Sequence, residues 1–250
     1  MKIKLSIIIL CLTLIFCTAC SPLEEDTLQI VASKDALLTE SADMGQNYID
    51  GFIFIGESTT DHLKSRGVLS GGKNTTQVWG TKSGTLNLSL AIDTTKIVYP
   101  ETNELLTFKE AAAKKRPEYV LLTFGLNGAV QNIKQGEDYF KSCYKKLINS
   151  IREGSPDTKI ILGSAFPVAE NMDMTNYSVD LDTLNSYIDT INSWTYSLAT
   201  EEGLRFLNTA EALKDKNGRL PLKYQVGDGH HLTKEAYEVV LHYIRTHGYS

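Results

Sequence analysis

The sequence predicts an α/β fold in which a mostly parallel sheet carries helices on both faces. Short apolar runs rich in β-branched and aromatic residues are typical of strands buried on both sides. Longer segments between them repeat apolar residues every three or four positions, as amphipathic helices do. Because strands and helices alternate along the chain, helical crossovers can join neighbouring strands in parallel.

The first strong element is a predicted strand at residues 52–55, with the sequence Phe-Ile-Phe-Ile. Gly56 ends it and allows a sharp turn, and residues 61–66 then predict a short helix that stops at Gly67. Weaker strand signals follow at residues 77–79 and at residues 86–90, the latter predicting a strand or an exposed ribbon.

The later elements are more regular. Thr107 and Glu110 form a capping-box pattern that opens an alanine-rich helix, which ends before Pro117. Further strands are predicted at residues 119–124, 159–163 and 204–207, and further helices at residues 137–152, 182–202 and 233–246.

The N-terminus resembles the signal peptide of a bacterial lipoprotein. Lys2 and Lys4 precede an almost wholly apolar run at residues 5–16, which is too short for a comfortable membrane span, and small residues then lead to Cys20. By this resemblance Cys20 is lipidated and anchors an extracytoplasmic protein to the bacterial cell membrane; an ordinary secretory signal is the alternative. We therefore assign residues 1–19 to a signal peptide, residues 20–47 to a polar tether and residues 48–250 to one domain.

Composition excludes several classes of function. Loss of the signal peptide lowers the formal net charge from −5 to −7, which argues against nucleic-acid binding. Of the four cysteines only Cys143 would remain free in the domain, so no intrachain disulfide is expected. The predicted domain, residues 48–250, contains neither a Cys-x-x-Cys nor a His-Glu-x-x-His spacing, and we expect neither a metal nor another cofactor.

Four polar residues follow predicted strands or precede the last helix: Ser58, Asn127, Asp228 and His231. Carboxyl ends of parallel strands meet at one edge of a sheet, where open α/β sheets bind ligands. A serine nucleophile needs a base, a group that orients the base, and donors for an oxyanion, and these four residues supply that set. Taken alone, Ser58 could equally be a helix cap.

At this point the chain resembles the SGNH/GDSL hydrolases. The matching blocks, in order, are Gly56-x-Ser58, Gly84, Gly125-x-Asn127 and Asp228-x-x-His231, and the resemblance spans about residues 48–249.

The resemblance implies a flavodoxin-like three-layer α/β/α sandwich that hydrolyses esters. Ser58 would be the nucleophile, His231 the base and Asp228 the residue that orients it. The oxyanion donors would be the backbone N–H groups of Ser58 and Gly84 and the side chain of Asn127. Gly80 or Gly72 could supply the second donor in place of Gly84.

The chain departs from the family pattern at two positions. Glu57 stands where the family usually has Asp, a residue that normally braces the loop, and Gly128 follows Asn127 where Asp is common. Two other histidines lie near the blocks. His230 is the rival base but is expected at a crevice wall or on the surface, and His62 is expected at a solvated helix position.

These observations predict a lipid-anchored serine esterase that removes small acyl groups, with acetyl the expected one, from carbohydrate esters. The loop between Ser58 and Gly84 is polar and carries one aromatic residue, Trp79, as a crevice wall or equally as a core residue. No long apolar insertion offers a lid or an acyl groove. The alternatives are an O-acyltransferase with the same triad and a non-catalytic glycan-binding lipoprotein. The expected partners are the ester substrate and the membrane; the oligomeric state stays open.

Overall fold

A sheet of five parallel strands forms the centre of the fold. The computed structural model describes residues 35–249 and contains the strands β1 (Phe52–Gly56), β2 (Val78–Trp79), β3 (Lys96–Val98), β4 (Leu105–Thr107), β5 (Tyr119–Thr123), β6 (Lys159–Gly163) and β7 (Arg205–Leu207). The central sheet has the order β2-β1-β5-β6-β7, and every pairing within it is parallel. When the five strands of this sheet alone are numbered in chain order, the order is 2-1-3-4-5, which is that of flavodoxin-like folds. The strands β3 and β4 form a separate antiparallel pair.

The α-helices of the described residues are α1 (Gly45–Asp50), α2 (Ser58–Ser65), α3 (Phe108–Lys115), α4 (Ala129–Gln135), α5 (Glu137–Gly154), α6 (Leu181–Glu201) and α7 (Lys234–Arg245). Thr107 caps α3 through the predicted reciprocal bonds with Glu110. Within the described residues, no helix combines the length and the hydrophobicity needed to cross a membrane.

The sheet is buried on both faces. Successive strand residues point to opposite faces, so they enter two different cores. Ile53 and Ile55 belong to one core, which they share with buried residues of α3, α5 and α6. Phe52 and Phe54 belong to the other, with residues of α1, α2 and α7. Cys143 is buried in α5 as a free thiol. The predicted α/β/α sandwich with a mostly parallel central sheet is confirmed.

For one weak signal the strand alternative is excluded. Residues 86–90 alternate apolar and polar residues in sequence but form no strand, and Leu86 is buried whereas Leu90 is exposed. Alternation fits any extended segment that lies along a surface, and a strand also needs a neighbour to pair with. The actual additional strands, β3 and β4, lie later in the chain.

The domain begins earlier than residue 48. Ala36 and Leu38 are buried, and this segment exchanges backbone hydrogen bonds with Phe206, so it lies along the edge strand β7. The predicted signal peptide, the lipidation site Cys20 and the tether up to residue 34 lie outside the described residues.

Candidate active site

The turn from β1 into α2 brings Ser58 to the carboxyl edge of the sheet. At Gly56 an added Cβ would lie 2.3 Å from both Thr123 O and Thr60 Oγ1, so only glycine fits there. Glu57 takes the N-cap position in extended conformation, and Ser58 is the first residue of α2. The backbone N–H of a first-turn residue has no partner inside its helix, so the Ser58 amide is left without an intrahelical acceptor.

Ser58, His231 and Asp228 form one hydrogen-bonded chain. His231 Nε2 lies 2.9 Å from Ser58 Oγ, and His231 Nδ1 lies 2.7 Å from Asp228 Oδ2. Two hydrogen bonds hold α2 against the segment that carries His231. Arg66 Nε donates to the carbonyl of Leu232, and the hydroxyl of Tyr237 donates to the carbonyl of Thr59. The structure therefore brings Ser58 against His231, which lies 173 positions further along the chain.

Asp228 is held in its ionised form. Partial burial opposes ionisation, but the backbone and side chain of His231 and the backbone of His230 donate to the carboxylate, and the pKa of Asp228 falls to about 2. An ionised carboxylate on Nδ1 fixes the tautomer of His231 that leaves Nε2 as an acceptor toward Ser58.

The loop before α7 depends on a residue that the sequence did not single out. Gln225 Oε1 accepts hydrogen bonds from the backbone N–H groups of Gly227 and Gly229, on either side of Asp228. Gly229 has a positive φ, and an added Cβ would meet Met172 Cα at 2.5 Å. A glutamine near a loop carries no distinctive pattern, so only the folded loop reveals this brace.

Three imidazole rings lie against one another at the site in tilted orientations. The ring centroid of His231 lies 4.4 Å from that of His62 and 3.9 Å from that of His230. Burial and the neighbouring His231 lower the pKa of His62 to about 4, and burial also lowers the pKa of His230. Both flanking rings are therefore neutral at pH 7. The prediction of a solvated His62 is wrong, because its place one helical turn after Ser58 puts it against His231.

Asn127 lies across the crevice in the loop after β5. Its Nδ2 donates to Thr85 Oγ1 at 3.2 Å, which leaves a second N–H on the same nitrogen. The side chain thus reaches the turn that contains Gly84, as the block order implied.

Gly84 is placed differently from the expectation. Its backbone N–H donates to the carbonyl of Thr81 at 3.1 Å, so in this conformation the amide is not free for an oxyanion. Glycine is required there for another reason: φ is +70°, and an added Cβ would lie 2.9 Å from Asp61 Oδ2.

Glu57 supports the loop that carries Asn127. Its buried carboxylate accepts the backbone N–H groups of Gly125 at 3.0 Å, Leu126 at 3.2 Å and Asn127 at 3.0 Å. Burial raises the pKa of Glu57 to about 7, although the three backbone hydrogen bonds favour the ionised form. The longer side chain that replaces the usual Asp thus braces the donor loop directly. The second departure, Gly128, adopts a positive φ at the N-cap of α4, a conformation that suits glycine.

Among residues 35–249, one group of His and Asp side chains is compact enough to hold a metal ion. Ligand atoms of Asp228, His230 and His231 lie within 4.8 Å of one another. The carboxylate of Asp228 and Nδ1 of His231 are, however, already hydrogen-bonded to each other. The arrangement suits transfer of a proton from Ser58 to His231, whose ring Asp228 orients.

A hydrogen-bonded serine, histidine and carboxylate at the carboxyl edge of a parallel sheet define the class of serine hydrolases. The model of the GDSL-like lipase/acylhydrolase family matches residues 54–239, which is most of the chain. The chain therefore belongs to this family and is a serine ester hydrolase. No curated protein matches it significantly.

Solved structures share the fold at low sequence identity. A Streptococcus pneumonia protein named for platelet activating factor is 18% identical, covers 77% of this chain and 81% of its own, and has a TM-score of 0.54. A GDSL-like lipase from Bacteroides thetaiotaomicron is 18% identical, with coverages of 78% and 86% and a TM-score of 0.50. A G-D-S-L family lipolytic protein from Desulfitobacterium hafniense is 16% identical, with coverages of 77% and 95% and a TM-score of 0.51.

Proposed function

We propose that Ser58, His231 and Asp228 are the catalytic triad of this ester hydrolase. The observation that carries the proposal is the continuous chain of hydrogen bonds from Ser58 Oγ through both nitrogens of His231 to Asp228. His231 takes the proton as Ser58 Oγ attacks the ester carbonyl, and Asp228 stabilises the resulting imidazolium. The alcohol leaves with that proton, and water then hydrolyses the acyl-serine by the same steps in reverse.

The oxyanion of each tetrahedral intermediate is stabilised by the Ser58 backbone N–H and by Asn127 Nδ2. The amide lies at the N-terminus of α2, where the helix dipole also favours negative charge. Asn127 has one N–H beyond its bond to Thr85, and Glu57 holds the backbone of its loop.

The substrate that we propose is a small acyl ester, with acetyl the expected group, on a carbohydrate. The apolar cavity beneath α2 has a volume of about 20 Å³, room for about one water molecule, and no triad residue lines it, so it offers no acyl groove beside Ser58. A long-chain ester needs a larger apolar surface, because each buried CH₂ contributes only about 0.8 kcal/mol. Trp79 is 1% exposed and packs in the core, so it cannot stack on a sugar.

We also propose that lipidation at Cys20 anchors the enzyme outside the cytoplasmic membrane. The support is the short apolar run that ends in Ala19-Cys20. Cys20→Ala should release the protein from the membrane fraction or leave it as unprocessed precursor. A mature N-terminus downstream of Cys20 without lipid would show plain secretion.

The activity is tested with a fluorophosphonate probe and with p-nitrophenyl esters of increasing chain length. We expect labelling of the wild type but not of Ser58→Ala, and the highest kcat/KM for acetate. Acetate release from acetylated xylan and acetylated peptidoglycan is measured beside these esters, with and without an added acceptor sugar. Failure of the wild type to label would overturn the triad. A preference for octanoate with no acetate released from either glycan would overturn the substrate. Transfer of the acyl group to the acceptor would identify a transferase.

A further inference from the structure

A second cavity lies beside the nucleophile helix, on the side of the sheet edge that β2 forms. It has a volume of about 320 Å³, within the range of sites that bind small molecules. Its lining includes charged, amide and hydroxyl side chains: Asp61, Lys64, Lys73, Asn74, Thr81 and Asn103. Unlike the small cavity beneath α2, this cavity has a mainly polar lining.

The cavity adjoins the candidate catalytic serine through Asp61. Residues three apart on a helix have Cβ atoms about 5–6 Å apart, and Ser58 and Asp61 are related in this way on α2. The carboxylate of Asp61 also lies against Gly84, in the turn that Asn127 reaches through Thr85. A group bound in the cavity would therefore lie within one sugar ring of Ser58 Oγ.

The charged groups around the cavity are not neutralised by the protein. Among the described residues, no salt bridge or hydrogen bond involves the side chains of Asp61, Lys64 or Lys73. Partial burial raises the pKa of Asp61, and the nearby Lys64 partly offsets this by favouring its ionised form. The side chains of Asn74 and Asn103 are likewise without hydrogen-bond partners in the part of the chain that the structure describes. Two lysines and one carboxylate give the cavity a net positive charge in a chain whose formal net charge is −5.

We infer that this cavity binds the alcohol part of the ester, and that this alcohol is a sugar carrying an acidic group. The inference rests on the proposed esterase activity. Amide, hydroxyl and carboxylate side chains together recognise sugar hydroxyls, and Asp61 can accept only from a donor such as a hydroxyl. Lys64 and Lys73 bind a carboxylate or a phosphate on the same or the next ring. An acetyl group is neutral and apolar, so the charged and polar side chains of this lining do not recognise it.

The experiment compares three acetylated oligosaccharides: one of uronic acids, one bearing sugar phosphate, and a neutral one of the same length. The wild type should show a KM about tenfold lower for an acidic oligosaccharide than for the neutral one, and the uronic and phosphate arms identify the acidic group. The double variant Lys64→Gln/Lys73→Gln should lose this difference, and 500 mM salt should reduce it. The double variant should hydrolyse p-nitrophenyl acetate at the wild-type rate, because the nitrophenyl group within this ester is uncharged and carries no hydroxyl.

Lys134→Gln is the matched control, because Lys134 is exposed on α4 and lines no part of this cavity. It should keep the wild-type preference. A neutral oligosaccharide bound as well as both acidic ones, or an equal loss in Lys134→Gln, would overturn the inference.

A binding measurement separates this inference from the proposed function. Calorimetry with Ser58→Ala and the deacetylated acidic oligosaccharides requires no turnover. About tenfold weaker binding in the double lysine variant supports the site, even if the activity proves different, and absence of binding to the parent Ser58→Ala protein refutes it. Loss of p-nitrophenyl acetate hydrolysis in the wild type would instead contradict the esterase itself.

Discussion

Replacement of the buried Glu57 should damage catalysis indirectly. Glu57 does not contact the substrate, but it holds the loop that carries Asn127. In Glu57→Gln, one carboxylate oxygen becomes an NH₂ group, which faces a backbone N–H instead of accepting from it. If the amide oxygen still accepts from the backbone N–H groups of Leu126 and Asn127, the N–H of Gly125 loses its acceptor. A buried unsatisfied donor costs about 1–3 kcal/mol. For a domain of this size we expect the Tm to fall by roughly 3–10 °C.

The same substitution should lower kcat for p-nitrophenyl acetate by about 10–100-fold with little change in KM. Asn127 acts on the oxyanion, which exists only near the transition state, so a displaced donor reduces kcat. Glu57→Asp keeps the carboxylate but shortens the side chain, so it tests side-chain length separately from charge. Its carboxylate is withdrawn by about 1.5 Å, one carbon–carbon bond, from donors that lie at 3.0–3.2 Å, so it should also lose activity unless the loop moves.

The stability of the wild type should depend on pH through Glu57. Its pKa in the folded protein is about 7, above the ordinary value of 4.5, so its protonated form favours the folded state. This contribution is fully present below pH 4.5 and is lost as the pH rises through about 7, with a size on the order of 3 kcal/mol. Because Gln does not titrate, the stability gap between wild type and Glu57→Gln should narrow from pH 5 to pH 8.

Thermal and denaturant unfolding at pH 5 and pH 8, with kinetics at pH 8, check these expectations. Glu40→Gln is the control, since Glu40 is exposed, and it should change stability by less than about 0.5 kcal/mol. A double-mutant cycle with Asn127→Ala gives the sharpest test: if Glu57 acts through Asn127, their effects on kcat should not add. Wild-type stability and kcat in Glu57→Gln would refute the reasoning.

Three further predictions concern the triad. Ser58→Ala should lower kcat by several orders of magnitude and leave thermal unfolding unchanged, because the N-cap position of α2 belongs to Glu57; retention of most activity would remove the mechanism. His231→Ala should be as damaging as Ser58→Ala, the double variant hardly worse than either, and His230→Ala much milder; an essential His230 would show the base to be misassigned. Activity should fall as the pH is lowered from 8 to 5, because a protonated histidine cannot act as base while Asp228, with a pKa of about 2, stays ionised. Full activity at pH 5 would contradict a histidine base.

The sequence predicted the strongly periodic parts of the fold well, because burial on both faces leaves a clear apolar signal in strands such as β1, β5 and β6. It could not predict the pairing order of those strands, which depends on contacts between distant segments. Weak patterns failed for the same reason. Residues 86–90 alternate correctly but find no partner strand, and Trp79 is buried by its packing near Tyr99.

At the candidate site, sequence spacing predicted which residues would meet but not the state of each donor. The Asp-x-x-His spacing was sufficient to place Nδ1 of His231 on Asp228. The engagement of the Gly84 amide with Thr81 depends on local turn geometry, which no residue type dictates. The contact of His62 with His231 depends on the approach of a loop almost 170 residues further along the chain.

Two consecutive residues at the turn after β1 serve different halves of the proposed chemistry. Ser58 supplies the nucleophile and one amide donor, whereas the side chain of Glu57 holds the loop after β5 that carries Asn127. A shift of the turn would therefore move the nucleophile and the second donor together, which keeps their separation constant. This coupling gives a physical reason for an acidic residue directly before the serine. It also explains why Glu can replace Asp there: the requirement is a buried acceptor for three N–H groups, and a longer side chain meets it.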